Sequence, residues 1–121
     1  MGNNVFTNNN IVDLYIPKIE TIPYGAFSSC YIKFSSNDVY FSNCTLISNF
    51  AFANGVITTD IDGGLNLHFP NCTTVGSRAF EHNLGAQFMY FNECTSVGES
   101  AFCSNFHLTV ARFPKLSIIL A

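Results

Sequence analysis

The chain has no Trp, four Pro and few charges, with five basic and eight acidic residues among 121. Neither sign forms a run, and no basic stripe exists to follow a phosphate backbone, so nucleic-acid binding is excluded as a first reading. Its apolar runs are only a few residues long, too short to cross a bilayer as a helix, so membrane insertion is not expected. The first ten residues, MGNNVFTNNN, carry neither a cationic start nor an apolar stretch, so they do not read as a signal peptide. Phe6 stands where a myristoylation signal wants Ser or Thr. No Cys-x-x-Cys or His-x-x-x-His spacing is present, which leaves zinc without its usual ligand pattern. No cofactor motif appears either.

What is present is apolar and repetitive. Nearly half the residues are hydrophobic, and 13 of them are Phe, so disorder is not a reading. A twelve-residue phrase occurs four times: IPKIETIPYGAF from Ile16, FSNCTLISNFAF from Phe41, FPNCTTVGSRAF from Phe69 and FNECTSVGESAF from Phe91. A shorter copy, FPKLSIILA, starts at Phe113. The starts lie 25, 28, 22 and 22 residues apart, the period of leucine-rich repeats. Such a chain stacks similar coils, each covering the core of the next. The expected organisation is a polar N-terminal segment or cap over residues 1–10 and one mainly β solenoid over 11–121.

Just before each start runs a short alternating segment: VDLYI, NDVYF, LNLHF, QFMYF and TVARF. Alternation over five residues is the mark of a half-buried strand. The phase turns Leu14, Val39, Leu67, Met89 and Ala111 inward, and stacking is expected to build one parallel sheet. Pro17, Pro70 and Pro114 follow the strands, where a missing N–H helps end pairing. Next come an apolar fourth column (Ile19, Cys44, Cys72, Cys94, Leu116) and a branched seventh column (Ile22, Ile47, Val75, Val97, Ile119). Gly76 and Gly98 suggest a bend needing a permissive backbone. The pairs Ala26-Phe27, Ala51-Phe52, Ala79-Phe80 and Ala101-Phe102 recur without change, with rings that should stack inside. The return paths vary in length, and the longest, Asn54 to Gly64, should bulge outward.

The phrase resembles the BspA-like class of leucine-rich repeats, whose pattern runs I-P-x-x-V-x-x-I-G-x-x-A-F-x-x-C. The best match is IPKIETIPYGAFSSC, from Ile16 to Cys30. Phe replaces the usual Ile before Pro, Cys replaces Val in the fourth column, and Asn83 and Asn105 stand at the terminal Cys position. The resemblance implies a right-handed solenoid whose strand-lined face serves adhesion or protein recognition, at a cell surface or on a virion. It implies no particular ligand.

The outward column before each start is Tyr15, Tyr40, His68, Tyr90 and Arg112; two residues earlier it is Asp13, Asp38, Asn66, Phe88 and Val110. Tyr and Arg are frequent binding anchors, though Tyr also favours exposed sheets for its own sake. The expected function is a non-catalytic recognition module for a protein partner, with a carbohydrate as the second candidate. The alternative is a structural unit that self-associates end to end, using the apolar C-terminal residues Ile118, Ile119 and Leu120. The cysteines are expected to be reduced, with Cys44, Cys72 and Cys94 in one buried column. Cys103 has His82 and His107 as candidate bases but no third group to complete a catalytic set, Asp60-x-Asp62-Gly63 lacks the remaining ligands of a calcium loop, and the Asn43 and Asn71 sequons fall within the repeat phrase itself.

Overall fold

Stacking in register is visible first in the rings. In the computed structural model, which describes residues 1–116 and the backbone of Ile118–Ile119, Phe27 lies 5.3 Å from Phe52, Phe52 5.0 Å from Phe80 and Phe80 5.3 Å from Phe102, all near-parallel. A second ladder runs Phe41, Phe69, Phe91, Phe113 at 4.8–4.9 Å. These separations are close to the strand spacing that a parallel stack imposes. The ladders meet edge to face, as at Phe69–Phe80 (6.1 Å) and Phe91–Phe102 (5.9 Å), which sets the positive ring edges of one against the negative faces of the other.

β1 (Asn10–Val12) ends the N-terminal segment, and five coils supply the other strands. The first gives β2 (Thr21–Ile22) and, one coil after β1, β3 (Tyr31–Phe34). The second gives β4 (Asp38–Tyr40), β5 (Leu46–Ile47) and β6 (Val56–Thr59). The third gives β7 (Asn66–His68) and β8 (Thr74–Val75), and the fourth β9 (Phe88–Tyr90) and β10 (Ser96–Val97). The last gives β11 (Val110–Arg112) and β12 (Ile118–Ile119). Every pairing is parallel. The expected single sheet is in fact three: β11-β9-β7-β4, β12-β10-β8-β5-β2 and β1-β3-β6. The second row is the branched column, with Ile22, Ile47, Val75 and Val97 buried. The third row corrects the reading of the longest return path, since Val56–Thr59 pairs with Tyr31–Phe34 rather than bulging.

The Ala-Phe turns form a wall of their own. Phe27, Phe52 and Phe80 each donate their backbone N–H to the Ala of the next coil (Ala51, Ala79, Ala101) at 2.7–2.8 Å. Each turn is bracketed by two left-handed residues: Gly25 and Ser29, Phe50 and Asn54, Arg78 and His82, Ser100 and Ser104. Residues 4–9 repeat this geometry, with Asn4 and Asn8 left-handed and Phe6 stacked 5.4 Å from Phe27. The backbone N–H groups of Asn4, Phe6 and Asn8 bond the first coil's Tyr24, Ala26 and Ser28 carbonyls.

Gly76 and Gly98 serve proximity instead of a special φ. A Cβ at Gly98 would lie 2.4 Å from Ser77 N, and one at Gly76 2.6 Å from Asn49 N, so the coils touch there backbone to backbone. The terminal-Cys column has a common purpose too. Cys30 Sγ donates to Phe6 O (2.8 Å), Asn83 Nδ2 to Phe52 O (2.7 Å) and Asn105 Nδ2 to Phe80 O (2.5 Å). Asn thus replaces Cys as the donor to a Phe carbonyl of the preceding coil, leaving its own Oδ1 without a partner at both positions. Asn43 and Asn71 donate similarly, to Pro17 O and Ser42 O, each at 2.6 Å.

Candidate functional site

The row β4-β7-β9-β11 presents the outward column on a stiff backing. Leu67 and Met89 turn inward and are buried, Val39 is half-buried, and Ala111 on the last strand is exposed. Strand alternation therefore points Tyr40, His68, Tyr90 and Arg112 away from the core. Their register is fixed by the ladder, Tyr40 opposite His68, His68 opposite Tyr90 and Tyr90 opposite Arg112. The three rings stack, Tyr40–His68 at 4.2 Å and His68–Tyr90 at 4.9 Å. Side-chain bonds hold the next column against them: His68 Nε2 lies 3.0 Å from Asp38 Oδ1, and Tyr90 OH donates to Asn66 Oδ1 at 3.5 Å. Phe88 is half-buried, its ring edge beside Gly64 where a Cβ would meet it at 3.3 Å. The result is an aromatic strip with an exposed cation at the Arg112 end and an exposed carboxylate at the Asp38 end.

Two of the ten outward residues are elsewhere. Asp13 takes a left-handed backbone, φ 53°, donates its N–H to Lys33 O, and accepts Ser35 N and Oγ on its carboxylate at 2.7 and 2.8 Å. Ser35's N–H, and then its hydroxyl, hold the Asp13 carboxyl below the usual carboxylate range. The chain leaves the β1-β3-β6 sheet at this turn without joining the row, so Leu14–Ile16 does not form the expected strand and Tyr15 projects alone, 82% exposed. Of the residues expected at an apolar C-terminal end, Leu120 lies outside the described residues; Ile118 and Ile119 pair with Ser96 and Val97 through their backbone.

The thiols are arranged for packing. Cys44, Cys72 and Cys94 are fully buried, and their Sγ atoms face the carbonyls of Leu46, Thr74 and Ser96 at 3.6, 3.3 and 3.3 Å. Contact with Cys44, followed by burial, pushes the Cys72 thiol far above the ordinary range, and burial raises Cys94. A protonated buried thiol is a poor nucleophile. Exposed Cys103 has Ser104 Oγ as its side-chain neighbour (3.6 Å), while His82 Nε2 turns toward Glu81 (3.9 Å). Asp60 pairs with Lys33. Among the described residues no group of three or more His, Cys, Asp or Glu could hold a metal, and no helix is long and apolar enough to cross a membrane.

The family model described as BspA type leucine rich repeat region matches residues 1–120 in six copies. The chain belongs to this BspA-type repeat family. Six is one more than the five phrases read from the sequence, and the additional ring at the head of the ladder is Phe6. Neither a curated protein nor a solved structure matches the chain. Leucine-rich repeats of this kind are generally interaction modules and typically non-catalytic.

Proposed function

We propose that this BspA-type repeat is a non-catalytic recognition module that binds a protein partner through the row β4-β7-β9-β11. The observation that carries the proposal is the stacked strip Tyr40–His68–Tyr90. Rings already fixed by stacking and by the Asp38 and Asn66 contacts lose little freedom on binding, so more of the contact energy survives as affinity. Tyr and Arg also bring large area with a polar tip, the pattern of interface anchors. A protein surface fits the strip better than a carbohydrate does, because the strip ends in opposite charges, Asp38 and Arg112.

The test is substitution against a partner isolated from the native source. Tyr90→Ser and Arg112→Ala are each expected to weaken a purified partner by 2 kcal/mol or more, roughly 30-fold. The melting temperature should stay within a few degrees, because neither side chain is in the core. Retained affinity in both variants would remove this face from the interaction. A sugar array that saturates the strip while no protein does would favour the carbohydrate.

A further inference from the structure

A cleft of ≈ 440 Å³ separates residues 13–17 from strand β4. Leu14 and Val39 are half-buried in its walls, and Phe34 and Phe41 form a buried floor. β4 is the end strand of its sheet. Phe41 N donates to His68 O and Asn37 O accepts from Asn66 N, so odd-numbered residues of this segment face β7 and even-numbered ones face the cleft. Ser36 Oγ occupies both backbone groups of Asp38. Tyr40 is left with an N–H and a C=O directed into the cleft. On the opposite wall, among the described residues, the N–H groups of Leu14, Tyr15 and Ile16 have no partner. Both walls thus offer unpaired backbone groups over an apolar floor, a length of about 10 Å for a three-residue strand. The lining includes the carboxylates of Asp13 and Asp38 and no Lys, Arg or His.

We propose that this cleft receives an extended basic segment of a protein partner, which enters as an added strand between β4 and residues 14–16. The inference does not rest on the aromatic face, although Asp38 and Tyr40, at the end of that face, also line the cleft. An open strand edge is a template for pairing, and strand addition draws affinity from the main chain and selectivity from alternate side chains. Here the inward positions want apolar groups over Phe34 and Phe41. An outward position beside Asp38 wants a cation, since two carboxylates line the cleft and the one basic side chain touching either, His68 on Asp38 Oδ1, lies outside the lining. A second copy of this chain is a poor occupant. Its strands are rows within a solid stack, and the cleft lies between two coils of one stack instead of at an end.

The test uses the intact protein and three capped heptapeptides. One has the sequence TRVTVRT, one is its acidic counterpart TEVTVET, and one repeats the first with N-methyl groups on alternate amides. The basic peptide is expected to give saturable shifts in the amide signals of Leu14, Tyr15, Ile16 and Tyr40. The acidic and N-methylated peptides should bind at least about tenfold more weakly, as expected when charge and main-chain bonds both contribute. Leu14→Arg, which fills the cleft and offsets one of its two carboxylates, should abolish binding; where that variant does not fold, the peptide comparison on the unaltered protein decides. Tyr90→Ser and Arg112→Ala should leave the heptapeptide affinity within about twofold, which separates this site from the Tyr90–Arg112 part of the face. Equal affinity for all three peptides, shifts confined to other residues, or no saturable shift at about 1 mM peptide would each overturn the proposal.

Discussion

The first coil and the coils after it carry the same phrase yet end in different local structures. From Phe41 onward, each alternating segment joins the row, and Tyr40, His68, Tyr90 and Arg112 come into register. In the first coil, VDLYI has the same alternation and inward Leu14, but Asp13 bends left-handed and its carboxylate holds Ser35. Strand pairing is therefore not a property of the segment alone. It depends on the backbone entering at the right angle, and one residue held by a local hydrogen bond is enough to prevent that. The interior is indifferent to this difference, since the Phe27, Phe52 and Phe80 rings stack straight through it.

The most disruptive way to test that shared interior is to remove a ring of one ladder that also touches the other. Phe80 stacks on Phe52 and Phe102 and meets Phe69 and Phe91 edge to face. Phe80→Ala should cost about 3–5 kcal/mol in denaturant unfolding, whereas Tyr15→Ser in the exposed, unpaired segment should cost about 0.5 kcal/mol or less. Next in size is the backbone contact between coils. Gly98→Ala sets a Cβ against Ser77 N and Gly76 C and should destabilise by about 1–3 kcal/mol, as overpacking does.

The donor column comes third and separates two chemistries at one site. Asn83→Ala removes the bond to Phe52 O and should cost about 1–3 kcal/mol, because the buried carbonyl loses its side-chain donor. Asn83→Cys supplies an S–H there, as Cys30 does for Phe6 O, and also removes the orphaned Oδ1. It should recover most of that loss.

The smallest expected effect lies at the bend itself. The Asp13 carboxyl is held below its usual range by Ser35 N–H and hydroxyl. A depressed folded value means that the contact's contribution is complete above the ordinary carboxylate range and disappears as pH falls through the folded value. The Ser35 amide signal should therefore move with a midpoint below that of a free aspartate. A midpoint at or above the ordinary value would remove the Asp13–Ser35 bond from the explanation of the bend.

Much of this was legible in the residues. The invariant Ala-Phe pair and the branched seventh column give the buried ladders and the second strand row, because burial demands the same side chain at the same place in every coil. Eight of the ten outward residues follow from alternation alone. The third sheet was hidden in segments taken for variable return paths, although YIKF and VITT carry their own alternation, with Ile32, Phe34 and Ile57 buried. Gly76 and Gly98 were legible as special positions but for the wrong reason, since one sequence does not distinguish a needed φ from a close approach. The Asp13 bend was not legible, because Asp at that place is also what β4 begins with at Asp38. The cleft followed from the bend and was hidden with it.

Backbone amide exchange compares the two regions most directly. Tyr40, His68, Tyr90 and Arg112 occupy one column, and each sends its N–H toward the preceding coil. The amides of His68 and Tyr90 meet a strand there and should be protected, while that of Tyr40 meets the cleft. Tyr40 is expected to exchange at least about 100-fold faster than His68 and Tyr90 under native conditions. Equal protection at Tyr40 would mean that Leu14–Ile16 closes onto β4, contradicting both the broken repeat of the first coil and the cleft it leaves.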